Sequence, residues 1–196
     1  MNNRLYRNCL LLLLTVLLAG LTERMQAQTR NRQSVHTNSY DVPPAVPEML
    51  VFAGDTIRFD RADLRERMDR ELIAFSYMHT NSHLVIKRAN RLFPVVEPIL
   101  KEYGIPDDLK YLMVIESNLD PKSLSSAGAA GLWQFVQSTG REYGLEVNAN
   151  IDERYNTKKA TVAACKYLAE AYQKYGNWMT VAASYNGGQN GISRRL

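Results

Sequence analysis

Glu116 is the residue whose neighbours would most alter its chemistry. It follows an apolar stripe of Leu109, Leu112, Met113 and Ile115, at the expected C-terminal end of a helix. Apolar surroundings and the negative end of a helix dipole both disfavour a charged carboxylate, so its pKa should rise. A carboxyl that stays protonated near neutral pH can serve as a general acid and, once ionised, as a general base. Position alone leaves a second reading open, because a Glu at a helix end is commonly a solvated surface residue. Three short strings set Glu116 in context. They are Glu116-Ser117-Asn118-Leu119-Asp120-Pro121, then Ser125 with Ala127-Gly128-Ala129-Ala130-Gly131-Leu132-Trp133-Gln134-Phe135, and later Ala183-Ser184-Tyr185-Asn186-Gly187-Gly188.

In order and spacing these strings resemble the three motifs of the family-one, SLT-type lytic transglycosylases, over about residues 90–190. The motifs are Glu-Ser at a helix end, Gly-Leu-x-Gln after a Gly/Ala loop, and Ala-Tyr-Asn, which here reads Ser184-Tyr185-Asn186. The likeness is nearest to the membrane-bound murein transglycosylases of the D type. It implies an all-α, lysozyme-like domain that acts on the glycan strands of peptidoglycan, without cofactor or metal, at the β-1,4 bond between MurNAc and GlcNAc. It implies Glu116 as the single acid/base, where ordinary glycosidases place two carboxylates about the bond. The muramic 6-hydroxyl would attack its own anomeric carbon and leave a 1,6-anhydro end. By the same resemblance Ser125, Gln134, Tyr185 and Asn186 bind substrate or order the site.

Each of these residues has a plainer reading beside it. Ser125 can form a turn, Gln134 can lock its own loop, and Tyr185 can be a core tyrosine with a satisfied hydroxyl. Gly128 and Gly131 can let backbone approach a sugar or can serve loop geometry alone. Trp133 can face a sugar ring or fill the core. Asp120 is expected to stabilise the turn before Pro121, and Asp152 to support the loop before a long helix. Two rivals stay open. One is a hydrolase on the same scaffold, which needs a second carboxylate to place water; the other is an inactive glycan-binding protein.

The elements that must position these residues read as helices. Asp60 is expected to cap a helix to about Met78, with Leu64, Met68, Leu72 and Phe75 on its apolar face. Ser82 is expected to cap a second, closed by Gly104 and kinked or interrupted at Pro94 and Pro98. Ile105-Pro106-Asp107-Asp108 opens the helix that ends at Glu116. Residues 123–131 read as a loop, 132–143 as a short helix, 157–175 as a long helix stopped by Gly176, and 177–186 as a last one. No stretch alternates like a strand.

The 196 residues are 45% hydrophobic and 22% charged, ordinary for a folded domain. The net charge is +4, and three basic residues (Arg4, Arg7, Arg24) against one acid (Glu23) put half of it in the first 27 positions. The remainder is too weakly basic for nucleic acid. Arg4 and Arg7 precede the apolar run 9–19, and Ala27 follows, the order of a secretory signal peptide. Residues 1–27 are therefore expected to be removed on export to the periplasm or cell envelope. Residues 28–59, polar and then Pro-rich, read as a linker and N-terminal extension. Residues 60–196 read as the catalytic domain with an N-terminal helical extension, and a C-terminal truncation stays open, since Arg194-Arg195-Leu196 follows the third motif closely. Cys9 lies in the signal and ahead of where a lipidated Cys would sit, so Cys165 is left as a lone small core residue. His79 and His83 stand four apart but have no evident third ligand, so no metal site is expected. The sequence names no protein partner.

Overall fold

The computed structural model describes residues 43–187, without the side chains of His79 and Asn186. The expected signal segment, the polar part of the linker and Gly188 onward lie outside the described residues. Among the described residues the regular structure is six α-helices, two 3₁₀ turns and one two-stranded hairpin. The all-α expectation therefore holds, with one addition.

The addition is the hairpin. Strands β1 (Met49–Phe52) and β2 (Asp55–Arg58) pair antiparallel, with Phe52 opposite Asp55. Ala53 and Gly54 form the two-residue turn with φ of 50° and 91°. Both central residues at positive φ suit the twist of a tight hairpin. Ala53 pays a backbone strain there, and its N–H is held by the Asp108 carboxylate at 2.7 Å. Phe52 is fully buried in the main core. Residues 49–58, expected to belong to the linker, are thus packed structure. The strands escape a reading by alternation because Met49-Leu50-Val51-Phe52 is apolar throughout.

Helix α1 (Ala62–Tyr77) buries Met68 and Leu72, and with Leu64 and Phe75 they pack on Phe59 in a small second core. Its N-cap is Arg61, not the expected Asp60, and no side chain caps it. Helix α2 (His79–Glu102) begins three residues before Ser82. That hydroxyl does not cap; it lies 2.7 Å from the Phe75 carbonyl and 3.1 Å from that of Met78, fastening the corner between the helices. α2 also runs through both prolines. Pro94 and Pro98 are exposed, so the carbonyls they leave unbonded sit on a face that water can reach. Val85, Leu92, Val96 and Leu100 make its buried side.

A 3₁₀ turn (Asp107–Tyr111) leads into α3 (Leu112–Ser117), only six residues long. The helix expected over 132–143 shrinks to α4 (Gln137–Glu142). A second 3₁₀ turn (Glu153–Tyr155) precedes α5 (Thr157–Tyr175), which Asn156 caps by accepting from the Lys159 amide and Gly176 ends at φ 66°. α6 (Trp178–Gly187) follows. α2 and α5 form the largest helix pair and α6 packs on α5. α3 lies within this frame, with Leu109, Leu112 and Met113 fully buried.

Candidate active site

The short α3 presents Glu116 at its last turn. The chain leaves it through two consecutive left-handed residues, Asn118 at φ 49° and Leu119 at φ 56°. Asn tolerates that region, whereas Leu pays for it on the order of 1 kcal/mol or more. Leu119 is fully buried, which holds it in place. Glu116 itself is half-buried. Among the described residues no side chain or backbone amide hydrogen-bonds its carboxyl. Burial without compensation raises its pKa from 4.5 to about 7. The cause is desolvation, and a six-residue helix offers little of the dipole that the sequence pattern invoked.

Ser117 turns the other way. It is buried, and its hydroxyl lies 2.9 Å from the Met113 carbonyl and 3.0 Å from the Leu132 carbonyl, sharing one proton between them. The end of α3 is thereby tied to the second motif. Tyr185 of α6 reaches the same segment, donating its hydroxyl proton to the Trp133 carbonyl at 2.8 Å. Gln134 adds its own side chain, Nε2 donating to the Gly131 carbonyl at 2.9 Å and the Ser123 carbonyl at 3.2 Å. Residues 131–134 are therefore the junction at which all three motifs meet, and they meet through backbone carbonyls.

This junction is not helical. Gln134 stands at φ 49°, and isolated antiparallel bridges link Leu124 to Ala130 and Ala130 to Phe135. Ser125 closes the tip of the loop. Its amide donates to the Ala129 carbonyl at 2.8 Å, and its hydroxyl oxygen accepts from the Ala129 amide at 3.0 Å. Ser125 thus forms a turn, with its hydroxyl proton still available to donate. Gly128, at φ 77°, has nothing within 4 Å of where a Cβ would be. Gly131, at φ 76°, is the opposite case: a Cβ would meet the Arg154 carbonyl oxygen at 1.9 Å. Its close backbone neighbour on that side is the protein itself, so the absence of a Cβ at Gly131 is a packing requirement of the loop.

Trp133 is fully buried, and its indole N–H donates to Thr161 Oγ1 at 3.0 Å. It is a core residue and offers no face to a sugar. Tyr185 is held well above the ordinary tyrosine pKa, by burial first and then by the Glu116 charge. Its hydroxyl stays protonated, and Glu116 lies within its electrostatic reach. Tyr185 also joins Phe135, Tyr143 and Tyr167 in a cluster of rings with centroids 5.2–6.5 Å apart. The Asn186 side chain lies outside the description. Asp120 does serve the turn, accepting from the Lys122 amide at 3.0 Å.

Two supporting residues carry no sequence signal. Arg154 is buried, and its Nη1 donates to the carbonyls of Gly128 at 2.7 Å and Phe135 at 2.9 Å, while Asp152 binds Nε and Nη2. It clamps both ends of the Gly/Ala loop, and Asp152 neutralises it. Lys110, also buried, bonds Glu97 and Asp107 beneath α3. An Arg or Lys in a polar stretch ordinarily reads as exposed.

Comparisons with known proteins find relatives over the same stretch of chain. The family model of the transglycosylase SLT domain matches residues 96–196. Membrane-bound lytic murein transglycosylase D of Escherichia coli K12 is 30% identical over 153 residues, covering 76% of this chain and 33% of that protein. Membrane-bound lytic murein transglycosylase C of Photorhabdus laumondii is 28% identical over 124 residues, 55% of this chain and 34% of that protein. The corresponding enzyme of Pectobacterium atrosepticum is 30% identical over the same length. The chain thus spans about a third of the length of these relatives.

Proposed function

The chain belongs to the transglycosylase SLT-domain family, and from that premise we propose that it is a peptidoglycan lytic transglycosylase with Glu116 as its acid/base. The observation that carries the reading is the state of Glu116: half-buried, without a described hydrogen-bond partner, and poised to exchange a proton at about pH 7. In the proposed reaction the protonated Glu116 donates to the glycosidic oxygen as the C1–O bond of the muramic sugar breaks. The acetamido group of that sugar stabilises the cationic carbon. The resulting carboxylate then takes the proton of the C6 hydroxyl as O6 bonds to C1. Glu116 ends protonated, no water is consumed, and the product carries a 1,6-anhydro end. Burial serves both halves, because it keeps the acid protonated and makes the carboxylate a stronger base.

Under this reading Ser125 and Asn186 bind substrate, and Gly128 gives an open stretch of backbone for a sugar to approach. Gln134 and Tyr185 act mainly by fixing the junction under Glu116. The substrate is the glycan strand, and the place of action is the cell envelope, in keeping with the names of the relatives. Residues 1–27 would be the export signal. The folded unit would include the hairpin from Met49, since Phe52 lies in the main core.

The test is digestion of purified sacculi followed by mass spectrometry of the products. Anhydro-muramic ends, lighter by one water than hydrolytic ends, are expected. Glu116→Gln should lower turnover by about 10²–10⁴-fold without loss of fold. Reducing muramic ends would indicate a hydrolase, and an active Glu116→Gln variant would remove Glu116 from the chemistry.

A further inference from the structure

Arg88 lies on α2, ahead of the residues that the family model matches. Its guanidinium crosses to the turn that ends α3. Nη1 donates to the Asn118 carbonyl at 3.0 Å, and Nη2 donates to the Asp120 carboxylate at 3.0 Å. These two acceptors flank Leu119, so the fork spans the left-handed pair Asn118–Leu119 that directly follows Glu116-Ser117. We propose that Arg88 is a positioning residue for Glu116, clamping this turn so that the last turn of α3 aims the carboxyl into its buried place. The inference rests on the reading of Glu116 as the acid/base.

Three features of the site suit a clamp. α3 has only six residues, and its final turn is closed locally by the Asn118 amide on the Val114 carbonyl at 2.9 Å and the Leu119 amide on the Met113 carbonyl at 3.3 Å, so the Arg88 fork is the tie that fixes this turn to another helix. Of the two left-handed residues, Leu119 is strained and held by its burial, whereas Asn118 is exposed and its carbonyl is held by Arg88. The carboxyl of Glu116 has no described hydrogen bond of its own, so its direction is inherited from the backbone. The clamp also reaches further along the chain. Asp120 accepts from the Lys122 amide, and its carbonyl accepts from the Ser123 amide at 3.1 Å. Ser123 in turn supplies its carbonyl to Gly131 and Gln134. One side chain thus joins α2 to both the Glu116 turn and the junction loop. Two acceptors held by separate nitrogens suit the planar fork of Arg, and a Lys ammonium is a point donor that does not reproduce it.

The proposal has a signature of definite sign. Removing a cation would by charge alone raise the pKa of a nearby carboxyl. Releasing the turn would let Glu116 swing into water and lower it. The other titratable group facing Glu116 is Tyr185 on α6, which is neutral in this range and does not obscure the sign. The experiment is a carboxyl-carbon NMR titration of Glu116 in the full chain, assigned by loss of the signal in Glu116→Gln. In folded Arg88→Ala the midpoint should fall from about 7 by at least about one pH unit, and millimolar guanidinium should restore it. Arg88→Lys, which keeps the charge and favours folding, should show the fall in part. Turnover of sacculi should drop on the order of 10²-fold in kcat with KM little changed, as expected for a misaimed group. An unchanged or raised midpoint in either folded variant would overturn the proposal. An active Glu116→Gln variant would instead overturn the acid/base reading, leaving the titration result to judge the clamp itself.

Discussion

Glu116→Gln should stabilise the protein, and only above the pH at which a free Glu ionises. In the unfolded chain Glu116 titrates at its ordinary 4.5, and in the folded protein at about 7. Below pH 4.5 the carboxyl is neutral in both states and contributes nothing. Between 4.5 and 7 the unfolded chain gives up the proton while the folded one keeps it, so stability falls as pH rises. Above 7 the penalty is complete. At about 1.4 kcal/mol per pK unit, the gap corresponds to roughly 3 kcal/mol. Gln has the same shape as the protonated Glu and never ionises, so the variant escapes the penalty. The two proteins should melt together at pH 4, and the variant should melt roughly 6–12 °C higher at pH 8, on the usual conversion for a domain of this size. Other titrating groups are shared by both proteins and cancel in the difference. A difference in melting temperature that is the same at both pH values, or absent at pH 8, would show that the Glu116 carboxyl is solvated. The acid/base argument would then lose its physical basis.

The two loop glycines should separate cleanly. Gly131→Ala must displace the Arg154 carbonyl or the loop, and is expected to cost several kcal/mol or prevent folding, as read by thermal melting. Gly128→Ala meets no atom within 4 Å and should cost only its left-handed strain, about 1–2 kcal/mol. Phe52→Ala should lower stability by about 3–5 kcal/mol in denaturant unfolding, because its ring fills the main core from the hairpin. A loss below about 1 kcal/mol would mean that the hairpin is a loosely attached extension.

What was legible in the sequence was whatever is set by local pattern. The stripe Met68 and Leu72, the long helix over 157–175 and its Gly176 stop are all seen in the structure, because a helix that buries one face must repeat at three and four. The end of α3 was legible too, since Asn118 to Pro121 cannot continue a helix. The hairpin was not legible, because its turn is Ala53-Gly54 in place of the usual Asn-Gly. Its positive φ at Ala53 is held by Asp108, 55 residues away. The segment Leu132 to Phe135 was misread as helix for a related reason. Its residue types suit a helix, but its carbonyls are claimed by Ser117, Tyr185 and Arg154 from other parts of the chain.

That last failure bears on how the motifs work together. The ring of Tyr185 packs against Phe135 and Trp133, but the polar contacts between the motifs run through main chain. Ser117, Gln134 and Tyr185 each spend their polar atoms on main-chain carbonyls of the second motif or its loop. Glu116 has no hydrogen-bond partner among the described residues, and Tyr185, which feels its charge, spends its hydroxyl proton on the Trp133 carbonyl. A carboxyl in such a place is costly to fold, by the roughly 3 kcal/mol worked out above. Its neighbours offset that cost: Leu109, Leu112 and Met113 bury fully beside it, and Arg88 and Arg154 pin the two turns on either side. Under the proposed function, the residues that would make Glu116 reactive are mostly ones whose polar atoms face the protein's own backbone. Two of them, Arg88 and Arg154, lie outside the three motifs, since an Arg can be supplied from any element that passes near enough.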